Sequence, residues 1–107
     1  MMTNDAPSVT LDLSLDNAAL YAGCQIETIA GRKNLAEPVE NAVSVVGENI
    51  HRMVKDFMPG QRSQGIVLTG PMAVWAYLVV FHAVVHVFRE VWYDDGRNGP
   101  VLVARHG

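Results

Sequence analysis

Near its end the chain runs FHAVVHVFREVWYDDGRNGPVLVARH, and four polar residues in it keep an even spacing. His86 is followed by eight residues, then Asp95, one residue, Arg97, eight residues and His106. Imidazole changes charge near neutral pH, so it can take up and return a proton. A guanidinium offers phosphate or carboxylate a planar fork. His82 precedes His86 by four residues, so on a helix the two share a face, and with a third ligand such a pair can hold zinc or manganese. Each residue also has a plain structural reading: a satisfied core histidine at 82, backbone-driven turn residues at 95–97, an ordinary tail residue at 106. The sequence has no P-loop, no G-x-S-x-G elbow and no paired-cysteine metal motif.

The elements that must position these groups follow from periodicity. Val9, Leu11, Leu13 and Leu15 alternate with polar residues, a strand with one apolar face. Residues 18–36 are ambiguous: Gln25–Ala30 fits a second strand, and GRKNL reads as a basic loop. Glu37-Pro38 opens a helix whose apolar face includes Val39, Ala42, Val46, Ile50 and Phe57, and Pro59-Gly60 stops it before a polar turn, QRSQG. His51 borders that face as a surface or packing residue. Gly65–Leu68 is an apolar strand, Thr69-Gly70-Pro71 turns it into a helix from Met72 to about His86, Val87–Tyr93 is a strand, and Val101–Arg105 returns antiparallel across DDGRNG. The expected fold is α/β in one domain, 1–107: a small Rossmann-like, mainly parallel sheet covered by helices, with a C-terminal antiparallel hairpin. In such sheets ligands collect beyond the carboxyl ends of the strands, where Thr69-Gly70 and Tyr93-Asp94-Asp95 fall. The start of the helix after Gly70 could also hold an anion on free backbone N–H groups.

Composition narrows the partners. A net charge of -3 on 107 residues argues against coating duplex DNA, while a small anion held by local arginines is allowed. Cys24 is the single cysteine, which excludes an internal disulfide and fits a reducing, cytoplasmic setting. MMTNDAPS has neither the basic start nor the apolar run of a secretory signal. Pro71–Phe88 has 18 residues without formal charge, enough to flag a membrane span. His82 and His86 inside it and its valine-rich end favour a buried helix of a soluble fold.

Taken together, GIVLTG at 65–70, Trp75, His82 and His86, YDDGR at 93–97 and VLVARH at 101–106 resemble the small CRISPR-associated ring nucleases of type III systems, the third ring nuclease family of the CRISPR-associated Rossmann-fold superfamily. The resemblance is confined to residues 65–106. It implies binding and cleavage of cyclic tetra-adenylate by homodimers or higher homo-oligomers that enclose the ring, with manganese favoured. RNA is left open as a partner, and no membrane is expected. The resemblance implies His86 and His106 as general base and acid, Arg97 on the phosphate and Asp95 orienting a histidine. Thr69, Gly70 and His82 would contact the ligand, and His86 and Asp95 would be the metal ligands. The alternative on the same fold is a module that binds cyclic oligonucleotides without cleaving them. A third reading is an unrelated structural protein.

Overall fold

A computed structural model describes residues 9–106; the N-terminal segment read above for a signal, MMTNDAPS, lies outside the described residues, as does Gly107. The chain is a mixed α/β fold. Its elements are β1 (Val9–Asp12), β2 (Ile26–Ile29), β3 (Arg32–Leu35), α1 (Val39–Val54), α2 (Pro59–Arg62), β4 (Gly65–Thr69), α3 (Val74–Val84), β5 (Glu90–Asp94) and β6 (Val101–Arg105). One sheet has the order β1-β4-β5-β6, with β1, β4 and β5 parallel and β6 antiparallel to β5; β2 and β3 form a separate antiparallel pair.

Both parallel connections step the same way across the sheet. Right-handed crossovers then put α1 and α3 on one face. The core agrees: Val46, Ile50 and Val54 of α1 and Val80 and Val84 of α3 join Leu11, Ile66, Leu68 and Val91 in one apolar cluster. Trp92 projects from the other face, where Gly65 leaves room for it: a Cβ on Gly65 would sit 3.1 Å from the indole nitrogen. The strand order never reverses, so the parallel strands have no switch-point crevice of the doubly wound kind.

The ambiguous region resolves into a loop and an arm. Asn17 organises the loop, donating from Nδ2 to the Asp12 carbonyl at 2.7 Å and accepting from the Leu20 N–H at 3.2 Å. The buried Asn49 amide donates to the carbonyls of Leu20 (2.9 Å) and Ala22 (2.8 Å), tying the loop to α1. GRKNL is a turn and a strand rather than a loop. Ala30 (φ 52°) and Gly31 (φ 79°) make a two-residue turn, and such turns match the twist of a hairpin. The expectation failed because Ala-Gly lacks the usual Asn-Gly signature, and because β2 and β3 are exposed on both faces and show no apolar alternation.

Two helix boundaries also differ. Pro38 is the N-cap of α1, and Glu37 closes the base of the arm by accepting the Gln25 N–H at 2.7 Å. After Pro59 the chain forms the short α2 instead of an open polar turn, and Arg62 donates from Nη2 to the Val54 (3.0 Å) and Lys55 (3.2 Å) carbonyls, closing the end of α1. The helix expected to be fully buried is not. α3 spans 11 residues and buries Ala76, Val80 and Val84, while Val74 is 72% and Leu78 64% exposed. Among the described residues no helix is long and apolar enough to cross a membrane.

Tyr21 fastens the loop to β1: its hydroxyl donates to the Leu13 carbonyl. Burial, then the nearby Asp12 carboxylate, hold this phenol well above its usual range. A folded-state pKa raised in this way contributes stability that is complete below the unfolded value near 10 and is lost as pH rises toward the folded value. Unfolding free energy should therefore fall above about pH 10. Tyr21→Phe should flatten that fall while costing about 1 kcal/mol at neutral pH. Urea titrations from pH 7 upward check both parts; an unaltered alkaline slope in the variant would remove Tyr21 as its source.

Candidate functional site

The sequence-derived residues fall at two opposite edges of the sheet. At the carboxyl edge the register aligns Asp12 of β1 with Thr69 of β4, and Thr69 with Asp94 of β5. Thr69 locks this edge by donating its hydroxyl to the Asp94 carbonyl at 2.9 Å. Gly70 follows with φ 104°, in the left-handed region. A Cβ at Gly70 would lie 2.3 Å from Asp12 Oδ1 and 3.1 Å from the Ser14 nitrogen, so only glycine fits. The same Asp12 carboxylate accepts the Ser14 N–H (2.8 Å) and hydroxyl (2.9 Å).

Thr69, Gly70, Met72, Tyr77, Tyr93 and Asp94 line a shallow pocket of about 340 Å3, with Asp95 at its rim. The Tyr77 and Tyr93 rings meet edge to face at 5.4 Å, and the Tyr77 hydroxyl donates to the Gly70 carbonyl at 2.6 Å. Burial raises the Tyr77 pKa, with further contributions from Tyr93, Asp12 and Asp94. Asp95 accepts the Arg97 N–H (2.8 Å) and the Asn98 N–H (3.3 Å), the backbone role that the turn reading gave it. Arg97 itself is exposed at the hairpin tip.

At the amino edge stand the histidines. β6 returns beside β5 with Glu90 opposite Arg105, and the His106 N–H donates to the Arg89 carbonyl at 2.7 Å. That puts the His106 ring 5.5 Å from His86, which lies just past the end of α3; His82 and His86 are 6.5 Å apart. All three are exposed. His82 and His86 also border an open groove of about 820 Å3 between α1 and α3, shared with Glu48, His51, Val79 and Ala83.

The hairpin thus joins His86 to His106 and Thr69 and Gly70 to Asp95, but within one chain it does not bring the two sets together. From Arg89 beside His106 to Asp95 at the tip, the extended chain advances about 20 Å. No single phosphate bridges that distance. His86 and Asp95 of one chain do not fit a shared manganese for the same reason, and among the described residues no three His, Cys, Asp or Glu side chains group closely enough to hold a metal.

Several residues at these two edges were absent from the sequence reading. Asp12 could have been found, since it ends the first strand of a parallel sheet. Tyr77, Glu48 and the groove role of His51 had no such signal, because they depend on how α1 and α3 pack. Searches with this chain match no protein-family model, no curated protein and no solved structure. The candidate chemistry therefore rests on its own residues.

Gly70→Ala tests the carboxyl edge. The variant must move the Asp12 carboxylate or the β4–α3 turn and adopt a strained φ, so it should lose about 1–3 kcal/mol of stability. Chemical denaturation measures this; a loss under about 0.5 kcal/mol would mean the edge is not held as described.

Proposed function

We propose that the chain binds a small cyclic oligoadenylate, cyclic tetra-adenylate by its resemblance, and opens the ring with His86 and His106 as an acid–base pair. The observation that carries this is the pairing itself: two imidazoles twenty residues apart in sequence lie 5.5 Å apart at an exposed edge. One imidazole takes the proton of a ribose 2′-hydroxyl. The 2′-oxygen bonds to the adjacent phosphorus, the phosphorus–5′-oxygen bond breaks, and the second imidazole gives its proton to that 5′-oxygen. The products are a 2′,3′-cyclic phosphate and a 5′-hydroxyl. Arg97 stabilises phosphate charge in this reading only from a second chain, in keeping with homodimers or higher homo-oligomers enclosing the ring. Asp95 orients a histidine only on the same terms, and manganese chemistry is not routed through a His86–Asp95 pair. A Rossmann-like ancestry and a cytoplasmic location belong to the same reading.

The distance between the histidines and Asp95–Arg97 favours a second reading, in which the chain binds the ring without cleaving it. Labelled cyclic tetra-adenylate incubated with the full chain, with and without manganese, separates the two. Linear or dinucleotide products support cleavage; saturable binding without products supports the binding module; no binding removes both. In the cleaving case His86→Ala and His106→Ala should each lower the turnover rate by at least about a hundredfold and change ring affinity by much less. Unchanged turnover in either would strike that histidine from the mechanism.

A further inference from the structure

We propose that Arg89 completes a phosphate-binding site with His86 and His106 within one chain, giving the charge stabilisation that Arg97 can supply only from a second chain. This rests on the acid–base reading of the two histidines. Val91 pairs with Ala104 and Glu90 with Arg105. The His106 N–H bond to the Arg89 carbonyl at 2.7 Å carries that pairing one step further, so Arg89 stands opposite His106. Side chains directly opposite in an antiparallel pair share a face, with Cβ atoms about 5 Å apart. By alternation that face is the one of Val91 and Ala104, which pack into the helix-covered core. The His86 ring stands on the same side, 5.5 Å from His106.

An anion at this edge needs a cation. The C-terminal end of α3, just before His86, carries the negative end of the helix dipole, and of the two imidazoles one must be neutral to act as a base. Arg89 is exposed, and among the described residues its side chain has no hydrogen-bond or ion-pair partner. Neighbouring guanidiniums are already committed. Arg105 is held by Glu90 at 3.0 Å, and Glu90 also accepts from the Trp92 indole at 3.2 Å, which puts that pair on the opposite face of the sheet. Arg62 donates to the carbonyls at the end of α1. Glu48 lines the groove between α1 and α3, whose walls reach His86 and Val87 but not Arg89 or His106.

A phosphate seated between the two imidazoles meets Arg89 from the β5 side. As the 2′-oxygen bonds to phosphorus and before the 5′-oxygen leaves, the non-bridging oxygens gain a negative charge. The planar guanidinium donates two parallel N–H bonds to those oxygens and keeps its own proton, so it adds no step to the proton transfers of His86 and His106. Arg89 lies outside the evenly spaced set, three residues past His86. Pairing across the hairpin, not spacing along the chain, brings it to His106.

Adenosine 3′-monophosphate added to the full chain should shift the imidazole signals of His86 and His106 saturably in proton NMR. Arg89→Gln should weaken that binding by at least about tenfold and lower turnover of cyclic tetra-adenylate by about a hundredfold. Arg105→Gln removes the same charge from the opposite face, one residue from His106, and should change each by less than about twofold. Should Arg89→Gln lose its circular dichroism, Arg89→Lys carries the test: it keeps the charge, loses the fork and should bind at least about threefold more weakly. Arg89-dependent binding without products would keep the phosphate site and remove cleavage. Cleavage that Arg89→Gln leaves unchanged would keep the histidine pair and overturn the proposal. A wild-type chain with no saturable shift, or equal losses in Arg89→Gln and Arg105→Gln, would overturn it as well.

Discussion

The antiparallel pairing of β5 with β6 is the constraint on which the placement of every polar group near the C-terminus depends. Its register, Glu90 with Arg105 and Tyr93 with Val101, returns the chain to where β5 began. The end of α3 leads through residues 85–89 into β5, so the returning tail meets the chain just past that helix end. The closeness of His86 and His106 is therefore a consequence of hairpin geometry. The same geometry sends the turn between the strands, with Asp95 and Arg97, to the far edge. A strand pair cannot bring both its open end and its tip to one phosphate.

The rest of the fold holds that hairpin still. β5 is fixed by parallel pairing to β4, and Thr69 bonds across their shared carboxyl ends. β4 is buried along nearly its whole length, between β1, β5 and the two helices. The long excursion between β1 and β4 is anchored through Asn49 and Tyr21, whose polar atoms satisfy loop carbonyls that would otherwise be buried without partners.

Much of this was legible in the sequence because the relevant signals are local. Alternation in Val9–Leu13, the apolar run Gly65–Leu68 and the helix periodicity from Val39 to Val54 each specify an element without reference to anything distant. The turn residues DDGRNG announced the C-terminal hairpin. Within the arm, Gln25–Ala30 fitted a strand and β2 forms there, while β3 escaped because it contributes nothing to a core, so no burial pattern marks it. α3 was misjudged for the opposite reason: its sequence is apolar all round, which suggests full burial, yet the sheet and α1 cover only part of its circumference. For the candidate site, equal spacing on either side of Asp95 and Arg97 suggested a single centre. Spacing along a chain that reverses direction puts the outer members together and the middle ones away from them.

Electrostatics then separates the two edges chemically. In parallel α/β sheets, anions usually gather at the carboxyl edge, drawn by helix N-termini. Here that edge carries Asp12, Asp94 and Asp95, and the carboxylates of Asp12 and Asp94 contribute, after burial and Tyr93, to holding the Tyr77 proton more tightly. A phosphate entering that pocket would meet like charge from several directions, with Arg97 as the cation at the hairpin tip. At the amino edge His82, His86, His106 and Arg89 are exposed, Arg105 is paired with Glu90, and Glu48 lines the groove beside His82 and His86. The two edges of the sheet thus differ in charge: carboxylates gather at the carboxyl ends of the parallel strands, and the hairpin's return sets His106 beside His86 at the opposite edge.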